Sequence, residues 1–115
     1  MEFDKVGESN SRKQGGIALC SALKISETLR ILDLSWNALG NSQDGEFGKA
    51  MAKVIKNNSK LTHLDLSNNH LTWIDLKPIA EKLEENHTLI GIHLAGNEAK
   101  VDSYGFVTQL STPVV

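Results

Sequence analysis

One stretch decides the fold of this chain: Leu61-Thr62-His63-Leu64-Asp65-Leu66-Ser67-Asn68-Asn69-His70-Leu71. Its leucines and one asparagine follow the pattern L-x-x-L-x-L-x-x-N-x-L. Leu64 and Leu66 lie two residues apart, so on a β-strand both side chains point to one face, which we predict to be the core side. Asp65 then points outward. Asn69 lies where the strand ends, and its amide can bond backbone groups of the neighbouring turns.

The same pattern occurs twice more in the chain. It spans Leu29 to Leu39, and it returns in a weaker form from Leu89 to Ala99, where alanine replaces the last leucine. Three copies in register indicate an internal repeat, in which each unit covers its hydrophobic face with the next.

A helix is predicted in front of each strand. The first should run from about Arg12 to Lys24. The second should begin after Asp44, a plausible N-cap, and reach about Asn57. Asp75 is predicted to cap the third, which places Pro78 in its first turn, where a missing N–H costs little.

The helices repeat as well as the strands. Counted back from the leucine that opens the next strand, Cys20 takes the same small-residue position as Ala52 and Ala80. The position predicts a buried packing role for Cys20 rather than a reactive thiol.

This repeated helix-and-strand unit resembles the ribonuclease-inhibitor-like leucine-rich-repeat family, over roughly Asp4 to Asn97. The resemblance implies an α/β fold, a solenoid shaped like a segment of a horseshoe. Parallel strands would line its concave face and helices its convex face. Members of the family bind proteins in general, and the resemblance implies no particular partner.

The two ends depart from the pattern. Asp4-Lys5-Val6-Gly7 aligns with Asn37-Ala38-Leu39-Gly40, so we expect Met1 to fall inside a partial first repeat of a short or truncated family member. An open strand edge there could allow self-association, unless Met1 to Val6 form an irregular cap. The predicted domains are residues 1–99, with repeats opening at 29, 61 and 89, and residues 100–115, a C-terminal cap and tail.

Composition limits the partners. The formal net charge is −2, which argues against a general nucleic-acid or membrane-surface binder, because both need a basic patch. No glycine-rich loop of the phosphate-binding kind is present, and we predict no cofactor.

Cys20 is the only cysteine and the N-terminus is too polar for a secretory signal, so we predict a cytoplasmic protein. The glycosylation motifs at Asn57 and Asn86 would then be unused.

The outward strand positions, with the turns that follow, are the candidate protein-binding residues: Ile31, Asp33, Ser35, Trp36, His63, Asp65, Ser67, Asn68 and His93. On parallel strands they form rows about 4.8 Å apart, one of which is Asp33, Asp65 and His93. Two neighbouring carboxylates should raise the pKa of one of them.

Three site hypotheses compete on this face. Ser67, a histidine and Asp65 could form a hydrolytic triad, but no nucleophile elbow or oxyanion hole accompanies them. The histidines and aspartates could bind zinc, but they lack recognisable ligand spacing. Trp36 could instead anchor a protein interface, the alternative being that it packs over its neighbours or over the missing repeat. We therefore predict no catalytic or metal-binding residues.

The predicted function is a non-catalytic protein-interaction module or scaffold that uses the concave face. Relatives of the same family suggest two alternatives, a regulator of a small GTPase and a structural subunit of a cytoskeletal or ciliary assembly. No residue of the chain can be assigned to GTPase activation.

Overall fold

The computed structural model describes residues 9–40, 44–101 and 107–109. Helices and strands alternate through the repeats and a pair of short strands follows them. In chain order the elements are α1 (Ser9–Leu23), β1 (Ile31–Asp33), α2 (Glu46–Asn57), β2 (His63–Asp65), α3 (Trp73–Leu83), β3 (Gly91–His93), β4 (Ala99–Val101) and β5 (Val107–Gln109).

Three parallel strands form one sheet in the order β1, β2, β3. The register pairs Ile31 with His63 and His63 with Gly91. It also places Asp33, Asp65 and His93 side by side, so the predicted rows are confirmed. Each of these strands is three residues long, and left-handed residues such as Trp36 and Asn68 lie in the turns that follow.

The leucines of the repeats form the core. Leu64, Leu66 and Leu71 are buried in the middle repeat, together with Phe47 and Met51 of α2. Burying each such side chain contributes roughly 1.5–3 kcal/mol. The predicted inward and outward alternation of β2 is therefore confirmed.

Cys20 belongs to the same core and is 2% exposed. Its burial raises the pKa of the thiol to about 12, so the thiolate is scarce at neutral pH. The predicted packing role is confirmed.

A row of buried asparagines joins the repeats behind the sheet. The Asn69 side-chain oxygen accepts the N–H of Asn37 at 2.9 Å, and at 3.4 Å that of Leu39. Its amide nitrogen donates to the carbonyls of Leu34 (2.9 Å) and Leu66 (3.1 Å). One side chain thus bonds the backbone of two repeats, as the sequence predicts.

Asn97 repeats the arrangement one unit later. Its oxygen accepts the N–H groups of Asn69 (2.9 Å) and Leu71 (3.0 Å), and its amide donates to the carbonyls of Leu66 and Leu94. The weakened third copy therefore keeps the internal bonding of the other two.

A second asparagine row, which the sequence reasoning missed, joins the helix ends. Asn58 accepts the N–H of Leu61 at 2.8 Å and donates to the carbonyl of Leu23 at 2.6 Å. Asn86 donates likewise to Ile55 at 2.7 Å. Both asparagines stand three residues before a strand-opening leucine, and this spacing was the available signal. The side chain of Asn86 thus has a structural role inside the repeat.

The helix caps differ from the prediction. Thr72, not Asp75, is the N-cap of α3, and Asp75 is the third helical residue of a capping box. The helix therefore begins two residues before Asp75, and Pro78 lies inside it rather than in its first turn. At α2 the N-cap is Gly45, and Asp44 accepts the N–H of Glu46 at 3.1 Å.

Asp75 also links α3 to α2. It is fully buried, and its carboxylate accepts the N–H of Gly48 at 3.0 Å. Burial, the largest effect, raises the pKa of Asp75, while the N–H donors of Gly48 and Thr72 partly oppose the rise. A Cβ added at Gly48 would lie 2.2 Å from the backbone oxygen of Asp75, so only glycine fits this contact.

After the third repeat the chain forms an antiparallel pair, β4 with β5. Val101 and Val107 pack against the core. The sequence reasoning did not predict this pair of strands. Of the predicted C-terminal cap and tail, residues 102–106 and 110–115 lie outside the described residues.

The expectations for the N-terminus also concern residues outside the described part of the chain. They are the partial first repeat, its open strand edge and the alternative cap formed by Met1 to Val6. These remain predictions.

Candidate protein-binding surface

The outward side of the sheet and the turns that follow the strands form one surface, which we call the strand face. It consists of the nine candidate residues: Ile31, Asp33, Ser35, Trp36, His63, Asp65, Ser67, Asn68 and His93. Each of them is at least partly exposed to solvent. The register of the three strands therefore brings the predicted residues together on one accessible surface.

An open depression of about 310 Å³ lies over the strands. Ile31, Asp33, His63, Asp65 and His93 line it, so all three strands contribute. Among the described residues, neither lysine nor arginine lines the depression. The two carboxylates give it a negative charge when the histidines are neutral.

Hydrogen bonds within each repeat fix the two aspartates. An oxygen of Asp33 accepts the backbone N–H of Ser35 at 2.9 Å and the Ser35 hydroxyl at 2.6 Å. Asp65 accepts the same two groups of Ser67. Each carboxylate is thus held at the end of its strand by the serine two residues later.

The serine bonds lower the pKa of Asp33, so Asp33 is not the member of the pair whose pKa rises. The hydroxyl of Ser35, followed by its backbone N–H, lowers the pKa of Asp33, because both donors stabilise the charged form. The charge of Asp65 in the next strand does not reverse this, since water screens charges on an exposed face. Asp33 therefore carries its charge throughout the neutral range.

Trp36 is the most unusual residue of the strand face. Its backbone has a φ of 63°, in the left-handed region, and its side chain is 72% exposed. The equivalent turn positions hold Asn68 and Gly96, at φ values of 56° and 74°. Asparagine and glycine tolerate this conformation, whereas other residues lose roughly 1–2 kcal/mol in it.

At this exposure, Trp36 is not buried against the described part of the fold. Ile31, from the same repeat, is 68% exposed. The first described strand and its turn thus present two large apolar side chains to solvent beside Asp33. Trp73, the first residue of α3, is also exposed, at 44%.

The geometry does not assemble the hydrolytic triad considered above. The hydroxyl of Ser67 donates to Asp65, and the imidazole Nδ1 of His63 lies 3.1 Å from the hydroxyl oxygen of Thr62. Within the described residues no hydrogen bond joins Ser67 to a histidine, so the serine lacks the base that would activate it.

The zinc hypothesis finds no donor set either. Among residues 9–40, 44–101 and 107–109 there is no group of three or more His, Cys, Asp or Glu side chains close enough to hold a metal ion. The row of Asp33, Asp65 and His93 places its members side by side on an open sheet instead.

Comparison with known families agrees with the repeat pattern. A family model described as a leucine-rich repeat matches residues 26–42 and 57–80. The first match includes β1 and its turn, and the second includes β2 and most of α3. The chain therefore contains leucine-rich repeats, a class of domain that usually binds proteins and is typically non-catalytic.

A search of curated proteins finds no significant match. Across the described part of the chain, none of the helices has the length and apolar character needed to span a membrane.

Proposed function

We propose that this chain is a protein-interaction module that binds its partner through the strand face. The module would be a short leucine-rich-repeat solenoid of the ribonuclease-inhibitor-like type, with the strand face on its concave side. It would act in the cytoplasm as a non-catalytic scaffold.

The observation that carries the proposal is the exposed Trp36 in a left-handed turn. Large aromatic residues often dominate the energy of protein interfaces. At this turn position, where the other repeats have asparagine and glycine, the left-handed backbone destabilises a tryptophan. Its exposed indole ring contributes no burial free energy to offset that cost. Partner binding, which would cover the indole ring, supplies that burial free energy.

The rest of the strand face fits the same role. Ile31 adds apolar area beside Trp36, while the serine bonds hold Asp33 and Asp65 in one orientation. A surface with fixed side chains loses little conformational entropy when it binds. The strands themselves are held in register by the buried asparagines, so the face is rigid before binding.

A pull-down from lysate with quantitative mass spectrometry tests the proposal. The wild-type chain is compared with an Asp33→Arg, Asp65→Arg double variant. A matched control, Glu84→Arg with Glu85→Arg, makes the same change in charge on exposed residues beyond the end of α3. Circular dichroism and thermal unfolding verify that all three proteins are folded.

The proposal predicts a set of proteins captured by the wild type and by the control, and lost from the strand-face variant. The identity of those proteins would then define the pathway. Equal capture by all three proteins would place the binding surface elsewhere and would contradict the proposal.

A further inference from the structure

The helical side of the molecule carries a groove that the proposed function does not use. It has a volume of about 310 Å³ and lies between α1 and α2. Side chains on or beside these two helices line it. No residue of the strand face takes part, so the groove and the strand face are separate surfaces.

The groove has an apolar floor. Ile17 of α1 and Ala50 of α2 are half-buried there, and Cys20 lies almost fully buried beside them. A ligand that fits this floor must bring an apolar group as well as charge.

Three exposed lysines line the groove: Lys24, Lys49 and Lys53. Within the described residues none of them forms an ion pair. Lys13 behaves differently, because its ammonium group lies 3.6 Å from Asp44 and 3.8 Å from Glu46.

Among the described residues that line the groove, Glu46 is the only acidic one, and the Lys13 ammonium group lies 3.8 Å from it. The groove is therefore locally positive on a chain whose formal net charge is −2. Its charge is complementary to carboxylates.

We propose that this groove docks an acidic amphipathic segment of a partner protein. An apolar side chain of the segment rests on Ile17 and Ala50, and its aspartates or glutamates pair with the three lysines. The inference concerns a second surface and does not depend on binding at the strand face.

The surroundings favour a short peptide segment over a longer polyanion. The neighbouring helix α3 and its end carry exposed Glu81, Glu84 and Glu85. α3 packs directly against α2. A nucleic acid or an anionic bilayer extending beyond the groove would meet these carboxylates. Membrane recognition also uses about four to eight clustered basic residues, more than the three lysines found here.

Fluorescence anisotropy with the full chain provides the test. The probe is a labelled helical peptide in which leucines recur at alternating intervals of three and four residues, and glutamates do the same. A matched peptide has glutamine in place of every glutamate. A labelled single-stranded DNA and phosphatidylserine vesicles represent the other polyanions.

The test variant is Lys49→Gln with Lys53→Gln. The control is Lys56→Gln with Lys77→Gln, which removes the same charge from exposed helical positions outside the groove. We expect the acidic peptide to bind, the glutamine peptide to bind more weakly, and added salt to reduce binding. The test variant should lose about fivefold in affinity, and the control less than about twofold, given the usual strength of exposed ion pairs.

Amide chemical-shift changes in a titration with the acidic peptide should cluster around Ile17, Ala50 and Lys53. Three results would overturn the proposal: no binding of the acidic peptide, an equal loss in both lysine variants, or tighter binding of DNA or vesicles through the same lysines.

Discussion

Replacing Asn97 with alanine tests whether the buried asparagines hold the repeats together. Asn97 is 5% exposed, and its side-chain oxygen accepts the N–H groups of Asn69 and Leu71. Both of those residues are fully buried, so water cannot easily replace the lost acceptor. Asn97→Ala therefore leaves two buried donors without a partner.

The size of the effect follows from the number of bonds lost. Each buried donor left unsatisfied costs roughly 1–3 kcal/mol, which gives about 2–6 kcal/mol for the pair. We expect a loss near 4 kcal/mol, a large part of the 5–15 kcal/mol that holds a typical domain together. The midpoint of thermal unfolding should fall by roughly 15 °C.

Urea unfolding followed by circular dichroism measures this change directly. Asn57→Ala is the matched control, because the Asn57 side chain is exposed and donates only to the carbonyl of Lys53 among the described residues. The control should change the free energy of unfolding by less than about 0.5 kcal/mol. The reasoning is refuted if Asn97→Ala costs less than about 1 kcal/mol, because the bonds would then be dispensable.

Four further predictions concern single residues. Gly48→Ala should destabilise the fold by roughly 1–3 kcal/mol in urea unfolding, because the alanine Cβ would overlap the Asp75 backbone, and this outweighs alanine's higher helix propensity. Unchanged stability would contradict the close contact between Gly48 and Asp75. Since burial raises the pKa of Asp75, the contribution of this residue to stability is largest below the ordinary aspartate pKa and falls as pH rises through the raised pKa. Asp75→Asn should lack this pH-dependent contribution, so the stability advantage of the wild type over the variant should shrink with rising pH. A constant difference in stability would refute the prediction. Cys20 should react with a thiol reagent only in denaturant, and rapid labelling of the folded chain would contradict its burial. Trp36→Gly should stabilise the chain by up to ~1 kcal/mol while abolishing capture of the partner, and a loss of stability would show that the indole packs on the fold.

The repeat pattern made much of the fold predictable. The spacing of Leu64, Leu66 and Asn69 identified the strand, its buried face and the turn, since side chains two residues apart on a strand point to the same face. Aligning the copies also predicted which residues lie side by side on neighbouring strands, and Asp33 beside Asp65 is one example.

The errors arose where one local contact outweighs a general rule. The distance between neighbouring strands suggested a raised aspartate pKa, but the hydroxyl of Ser35 has the larger effect on Asp33. Asp75 looked like an N-cap, yet Thr72 takes that position, and Asp75 accepts the Thr72 N–H in the capping box as well as the Gly48 N–H of α2. Which of two nearby polar residues caps a helix depends on where the helix starts, and the sequence leaves that uncertain by a few residues.

The candidate surface was only partly predictable. Its residues follow from the strand register, but the left-handed backbone and high exposure of Trp36 come from the turn geometry. The lysine groove was not predicted because it combines α1 and α2, whose relative rotation no single repeat specifies.

Site-specific photo-crosslinking tests the central claim most directly. A benzophenone amino acid replaces His93 of the strand face in one protein, which leaves Trp36 in place, and the exposed Asn57, outside both proposed surfaces, in a second. The proteins crosslinked in lysate are then identified by mass spectrometry. Our account predicts a defined partner attached through position 93 and absent at position 57. The same products from both positions, or products from position 57 alone, would contradict binding at the strand face.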